Sequence, residues 1–198
     1  SARRREGRAA AEEQAKAGAA EGDSGDLYGM LSVEPIELAV GQSLIPLVGA
    51  GGGFTERVVA FRKQFALDMG AVFPRVRVKD EKKLAPSRYE VRVFGTKVAD
   101  GEVLADRSLA INPGGSRERL DGVEGRDPTY GLPAYWILDP VKPRAREAGY
   151  TVVDPLTVLV THFTEVIKQQ APNLLTRAET DRLDLRLAEV HQHGLLGL

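Results

Sequence analysis

The apolar residues change their period from one stretch of the chain to the next, and this change limits the fold class. In residues 55–69 they recur every three or four positions, as on one face of a helix: Val58, Phe61, Phe65 and Met69. In Arg75–Lys79 and Tyr89–Phe94 they alternate with charged residues, as in half-buried strands. A chain that uses both periods in turn is predicted to be α+β, with strands packed on helices.

Further strands are predicted from short apolar runs between turn residues. Val33–Val40 and Leu44–Val48 both have this form, and Pro35 near the start of the first is typical of an edge strand. Residues 112–134 are rich in Gly, Pro, Asp and Arg, which predicts loops and turns. A loop of that length inside a compact domain is uncommon and often functional.

Helix starts are predicted from capping residues. Thr55 has the side chain and position of an N-cap for the helix that ends at Gly70. Asp139-Pro140 and Asp154-Pro155 each combine an aspartate cap with proline in the first turn. Thr176 and Glu179 have the spacing of a capping box, which predicts one more helix beginning there.

The first 26 residues differ from the rest of the chain. They contain no Val, Leu, Ile, Phe, Tyr or Trp and are mostly Ala, Gly, Arg and Glu. Such a segment buries too little apolar surface to offset the entropy of ordering. We interpret residues 1–26 as a flexible linker, and we expect folded structure to begin near Leu27.

Composition excludes several classes of function. The absence of cysteine removes disulfides, thiol nucleophiles and thiolate zinc sites. The three histidines have no metal-ligand spacing, and a formal net charge of −1 argues against a protein built mainly to bind nucleic acid. No apolar run approaches the roughly 20 residues that span a bilayer. We therefore predict no catalytic residue, no metal and no cofactor, and a soluble chain whose membrane connection would lie outside it.

A nucleotide-binding enzyme is the alternative that the glycine loop 49–53 raises. A predicted strand, a glycine loop, a helix and a second strand ending at Asp80 resemble the start of a dinucleotide-binding unit. Gly49 and Gly51 match the first two glycines of that motif, but Phe54 stands where the third is needed. A surface loop is the interpretation we favour.

Three aromatic residues lie close together after the long loop. If residues 134–138 form a strand, Tyr135 and Trp136 point to opposite faces, so at least one of them belongs to the core. Tyr130 lies on a loop rich in Pro and Gly and is the better candidate for exposure. Tyrosine and tryptophan are favoured at interfaces because they combine a large area with a polar tip.

Five stretches carry a family resemblance, and they occur in the same order and with similar spacing: Val33–Leu38, Leu44–Val48, Leu109–Gly114, Asp127–Ala134 and Gly149–Pro155, followed by Thr161-His162. Together they resemble the cytoplasmic region of the FlhA, or FHIPEP, family of flagellar type III export-gate proteins. The resemblance runs from about Leu27 to about Arg182. The Asp-Pro-x-aromatic-Gly-Leu-Pro-Ala pattern favours the flagellar branch over the injectisome (SctV) branch, which remains an alternative.

The resemblance implies a division into subdomains. Residues 27–105 and 155–174 would form a mixed α/β first subdomain, with a small second subdomain, 106–154, inserted into it. Residues 175–198 would begin a truncated, helical third subdomain. The full protein would carry a membrane part before the linker and would sit at the cytoplasmic face of the bacterial inner membrane.

The resemblance also implies partners and site residues. In this family, export chaperones with their substrates bind a hydrophobic dimple between the first two subdomains, and its residues fall on Asp127, Tyr130 and Thr161. The family often has Phe at the position of Tyr130. The end of the linker contacts a neighbouring subunit in the family, so Leu27 and Tyr28 are candidate contacts in a nine-membered ring. Other export-apparatus proteins are further expected partners, and a purely structural, ring-building segment is the remaining alternative.

Overall fold

The computed structural model describes the backbone of residues 33–194 and the side chains of residues 33–176. Its first four strands form one sheet, sheet A, in the order β2-β1-β3-β4. Strands β1 (Ile36–Val40) and β2 (Val76–Asp80) are parallel, whereas β3 (Arg88–Val93) and β4 (Thr96–Glu102) are antiparallel to their neighbours. The predicted α+β class is confirmed. Pro35, however, lies next to an interior strand and not an edge strand.

The connection from β1 to β2 contains two helices, α1 (Ile45–Val48) and α2 (Phe54–Met69). The strand predicted at 44–48 is therefore wrong. Five apolar residues suit a buried strand and a helical turn equally well, and Pro46 fits the first turn of a helix. This correction weakens the nucleotide-binding interpretation, because a helix, rather than a strand, leads into the glycine loop.

Helix α2 begins at Phe54 and is capped by Gly53, so the predicted Thr55 cap is also wrong. Gly53 has a φ of 90°, a conformation that costs other residues strain. A Cβ there would also lie 2.9 Å from a methyl group of Leu156. The glycine loop thus turns the chain sharply into α2 beside the last helix. Gly70 ends the helix in a left-handed conformation, as predicted.

The main core lies between sheet A and the two long helices. Tyr89, Val91 and Val93 alternate inward along β3. Phe54 meets Phe163 of the last helix edge-to-face, with ring centroids 5.3 Å apart. At the other end of α2, three rings cluster together: Phe61, Phe65 and Phe73.

The opposite face of sheet A carries charges. Arg92 lies between Glu90 and Glu37, with nitrogen–oxygen distances of 2.8 and 3.0 Å. The two hydrogen-bonded carboxylates raise the pKa of the Arg92 guanidinium, although its partial burial opposes them. The apolar face of the sheet is the one that packs on the helices.

The remaining four strands form sheet B, in the order β6-β7-β5-β8 with every pair antiparallel. They are β5 (Ser108–Ile111), β6 (Val123–Arg126), β7 (Pro133–Ile137) and β8 (Thr151–Val153). Strand β6 lies inside the stretch 112–134 that the sequence predicts to be loop. It has a single large apolar residue, Val123, and is held by pairing with β7.

Both faces of sheet B are covered. Leu109 and Trp136 belong to the main core, whereas their neighbours Ala110 and Ile137 belong to a second, smaller one. The smaller core is closed by the helix α3 (Lys142–Glu147), through Ala145. The division of the chain into subdomains at 105/106 and 154/155 stays a prediction, and sheet B falls within residues 106–154.

The Asp-Pro pairs do not all act alike. At the start of helix α4 (Pro155–Gly194), Asp154 accepts hydrogen bonds from the N–H and the hydroxyl of Thr157, at 3.0 and 2.6 Å. Asp139 makes no such cap. It precedes α3 and instead pairs with Lys142 at 2.8 Å.

Helix α4 is continuous through Thr176, so the separate helix predicted to start there is wrong. The Thr176 hydroxyl donates to the carbonyl of Pro172 at 2.7 Å, which is a bond of the helix interior and not of a cap. The predicted linker, 1–26, and the predicted contacts Leu27 and Tyr28 lie outside the described residues. Among the residues that the structure describes, every helix is too short or too polar to span a membrane.

Candidate functional site

The stretch Asp127–Gly131 forms the tip of the hairpin between β6 and β7. The carboxylate of Asp127 accepts a hydrogen bond from the N–H of Tyr130 at 2.8 Å, and Gly131 donates to the Asp127 carbonyl at 2.8 Å. Pro128 occupies the first position of this single turn, and Gly131 ends it with a φ of 70°. The tip is thus built like a one-turn helix with aspartate, proline and glycine in their preferred places.

Within this tip, the two predicted contact residues have opposite environments. Asp127 is 6% exposed, whereas Tyr130 is 73% exposed, the highest value among the aromatic residues whose exposure is given. The predicted exposure of Tyr130 is confirmed. Arg126 supports the same turn by donating to the Gly131 carbonyl at 3.0 Å. A large aromatic side chain is therefore presented to solvent by a turn that is fixed at both ends.

Thr161, the third predicted contact, lies on the exposed side of α4. The next residue, His162, is only 7% exposed and turns inward, where its Nδ1 lies 2.6 Å from the hydroxyl of Tyr89. His162 is thus a packed polar residue of the helix. Thr161 is thus placed at the surface directly beside a buried polar pair.

Burial controls the protonation of that pair. Desolvation lowers the pKa of His162 below its usual value, opposed by the negative charges of Asp127 and Asp100. Desolvation also raises the pKa of the Tyr89 hydroxyl, and the charge of Asp127 adds to that shift. The charge of Asp127, in the hairpin tip, thus influences the pKa of both members of the pair.

A cavity of about 260 Å³ opens between sheets A and B. Sheet A contributes Arg88, Asp100, Gly101 and Glu102, and the hairpin contributes Val123–Arg126, Pro128 and Trp136. Arg88 and Asp100 form an ion pair of 2.9 Å, so the cavity wall on the side of sheet A is polar. Trp136 is buried and Tyr135 packs on Tyr150, so the prediction that at least one of the two belongs to the core is confirmed.

Sequence reasoning missed two residues of this region, Tyr89 and Gly101. They face each other across β3 and β4, and a Cβ on Gly101 would lie 2.4 Å from the Tyr89 hydroxyl oxygen. Gly101 is therefore required for the Tyr89 ring to extend toward His162. No local sequence pattern indicates this contact. Among the described side chains, no group of three His, Asp or Glu residues could hold a metal ion.

Comparison with known proteins finds flagellar biosynthesis proteins among the relatives of this chain. The chain is 44% identical over 162 residues to the flagellar biosynthesis protein FlhA of Bacillus subtilis, covering 81% of this chain and 24% of that protein. It is 36% identical to FlhA of Helicobacter pylori, covering 81% of this chain and 22% of the relative. The chain thus spans about a quarter of the length of the curated relatives that it matches.

Solved structures share the fold at lower identity. The Chlamydia pneumoniae CdsV protein matches with a TM-score of 0.58 and 18% identity, covering 81% of this chain and 49% of that one. The C-terminal domain of InvA matches with a TM-score of 0.55 and 16% identity, covering 83% of this chain and 50% of that one. The FHIPEP family model matches residues 1–195. The chain therefore belongs to the FHIPEP family, as its motifs predict.

Proposed function

We propose that this chain is a docking platform of the flagellar type III protein export gate, at the cytoplasmic face of the inner membrane. It would bind export chaperones with their substrates through the surface formed by Asp127, Tyr130 and Thr161. The family membership and the flagellar name of the relatives support a role in export. The surface itself is proposed from the geometry of the hairpin tip and helix α4.

The observation that carries this proposal is the exposure of Tyr130 on a fixed turn. A tyrosine that leaves 73% of its surface in water contributes little to the core. Such residues dominate binding when a partner covers them, because they bring a large area at a low cost in side-chain entropy. The hydrogen bond that the Tyr130 N–H donates to Asp127 fixes the backbone of Tyr130 before a partner arrives.

The proposed surface also includes helix α4. Asp127 acts electrostatically on His162, the residue that follows Thr161 on this helix. Thr161 faces solvent there, and its hydroxyl offers a hydrogen-bond partner at the rim of an apolar contact. We propose that a partner that covers Tyr130 also contacts Thr161.

Two further interactions belong to the proposal. Self-association into a ring, with nine members in the full-length protein, rests on the family resemblance, and Leu27 and Tyr28 are the proposed inter-subunit contacts. Binding to other export-apparatus proteins is supported by the solved complex of CdsV with CdsO, in which CdsV has the same fold as this chain. We propose no catalytic activity, because the relatives are named for flagellar biosynthesis and no feature of the described residues requires one.

The decisive experiment is a pulldown with a purified flagellar export chaperone bound to its substrate. The chain and its Tyr130→Ala variant would be compared as bait, and we expect the variant to lose most of the captured complex. Leu67→Ala is a matched control, because Leu67 is also a large exposed apolar residue, on α2 and 81% exposed. Equal capture by all three proteins, across every cognate chaperone, would sink the proposal.

A further inference from the structure

The outer edge of sheet A, formed by strand β2, is a second candidate interaction surface. We propose that an extended segment of a partner protein binds there as an additional strand, and that the residues of this segment alternate between apolar and acidic. The inference goes beyond the proposed function and is independent of it, because Asp127, Tyr130 and Thr161 take no part in this surface.

Strand β2 is the outermost strand of sheet A and pairs only with β1 among the described strands. Glu81 donates to the carbonyl of Val40 at 2.9 Å, so every second residue of β2, counted back from Glu81, directs its N–H and C=O toward β1. The N–H and C=O groups of Val76, Val78 and Asp80 therefore point outward. In the described part of the chain these groups have no hydrogen-bond partner. An added strand would satisfy them.

A groove of about 260 Å³ lies between β2 and helix α2. Most of its lining is apolar and comes from both elements: Phe54, Val58 and Val59 from α2, and Val76 and Val78 from β2. Val59 is 42% exposed, so part of this apolar lining lies in water. Directly opposed residues of neighbouring strands point to the same face of a sheet. The residues of the bound segment opposite Val76 and Val78 would therefore face the groove, and apolar side chains suit them.

The alternate residues of β2 are basic. The side chains of Arg77 and Lys79 are 58% and 45% exposed. Arg77 pairs with Glu34 at 3.4 Å and Lys79 with Glu81 at 3.6 Å, but ion pairs with an exposed member contribute little to stability and are readily exchanged. Arg75 adds a third positive charge beside the groove. Residues of an added strand opposite Arg77 and Lys79 would meet these cations, which favours carboxylates there.

These charges favour another protein over a second copy of this chain. In an antiparallel pairing of two β2 strands centred on Val78, Arg77 of each copy would lie opposite Lys79 of the other. Like charges directly opposite each other destabilise a sheet. A basic edge by itself also protects a chain against aggregation. The basic residues together with an apolar groove on the other face, however, match a segment that is acidic on one face and apolar on the other.

The first test uses a blocked synthetic peptide of alternating valine and glutamate, about six residues long to match β2. Amide hydrogen exchange of the chain would be measured residue by residue with and without this peptide. We expect exchange to slow at Val76, Val78 and Asp80, whose N–H groups point outward. Arg77 and Lys79 should change little, because their N–H groups already point to β1. Equal slowing of both sets, or of neither, would overturn strand addition.

A charge-reversed variant tests the chemistry of the partner. Arg77→Glu combined with Lys79→Glu changes only exposed side chains, and it should bind the peptide at least about tenfold more weakly than wild type. The same variant should instead prefer a peptide of alternating valine and lysine. Lys97→Glu is the matched control, because Lys97 is an exposed lysine on β4, at the other edge of sheet A.

Two results would contradict the proposed partner. Equal affinity of wild type and the double variant for the valine–glutamate peptide would show that Arg77 and Lys79 do not select acidic residues. Self-association of the chain without peptide, with slowed exchange at Val76, Val78 and Asp80, would assign this edge to a second copy. Neither result depends on a chaperone or on Tyr130, so the docking surface proposed above would stand or fall separately.

Discussion

The carboxylate of Asp127 holds the backbone N–H of Tyr130 at 2.8 Å, while the tyrosine ring itself stands in solvent. The acidic and the aromatic residue of the proposed surface therefore have separate tasks. Asp127 shapes the turn from a buried position, and Tyr130 would supply the contact area of the proposed surface. Substitutions at the two positions should consequently have different effects on stability and on docking.

Tyr130→Phe is expected to strengthen docking. The ring would keep its area, but a partner would no longer have to desolvate the hydroxyl, a gain of about 1 kcal/mol or roughly fivefold in affinity. The free energy of unfolding should stay within about 0.5 kcal/mol of wild type, because the side chain is mostly exposed. Affinity by calorimetry and unfolding by urea would check both. Weaker binding would mean that the partner uses the hydroxyl.

Asp127→Ala is expected to lower both stability and docking. The variant removes the acceptor for the Tyr130 N–H, and loss of such a cap costs about 1 kcal/mol. Asp127→Asn is the matched control, because its side-chain oxygen can still accept that hydrogen bond. If both variants unfold at the same urea concentration, Asp127 contributes to stability more through its charge than through its capping hydrogen bond.

Gly101→Ala is expected to destabilise the chain by about 1–3 kcal/mol, the usual cost of overpacking a buried site. The new methyl would lie 2.4 Å from Tyr89 Oη, so the ring has to move away from His162. Gly125→Ala is a milder comparison, because its Cβ would lie 3.3 Å from the Trp136 ring. Thermal unfolding of the two variants would rank them, and an unchanged melting temperature for Gly101→Ala would contradict the packing.

Asp154→Ala is expected to cost about 1 kcal/mol at neutral pH, because α4 loses its N-cap. Burial alone would raise the pKa of Asp154, but the hydrogen bonds from Thr157 outweigh it and lower the pKa. The contribution of Asp154 is therefore present above the ordinary pKa of aspartate and is lost as the pH falls through the lowered value. Urea unfolding at neutral and acid pH should show the two proteins converging in acid. A gap that persists at low pH would show that the cap does not depend on the charge.

Local patterns predict much of this fold, and they fail where a pattern is short. Helix α2 is clear from the spacing of Val58, Phe61 and Phe65, and its glycine stop lies where it is expected. The run 44–48 is too short to distinguish a strand from a helix. Strand β6 is nearly polar and is defined by its partner β7, so its sequence carries no strand pattern. Element boundaries and weak edge strands depend on tertiary contacts.

In the candidate site, too, features set by neighbouring residues can be predicted, whereas features set by tertiary contacts cannot. The exposure of Tyr130 and the turn around it follow from Asp127, Pro128 and Gly131, which are neighbours in sequence. The pairing of Tyr89 with His162 depends on the packing of a helix on a sheet, and no local pattern indicates it. The sequence thus identifies the parts of a surface that protrude more readily than buried pairs between distant elements.

The two covered faces of sheet B make its strand pairing unusually intolerant of slippage. A shift of one residue along β5 would move Leu109 into the smaller core and Ala110 into the larger one. One core would then be overfilled and the other would contain a void, so the misaligned strand loses packing energy on both sides at once. A sheet with one solvated face would lose packing energy on only one side. The tip that carries Tyr130 is therefore attached to a sheet in which a shift of strand register would be destabilised by both cores.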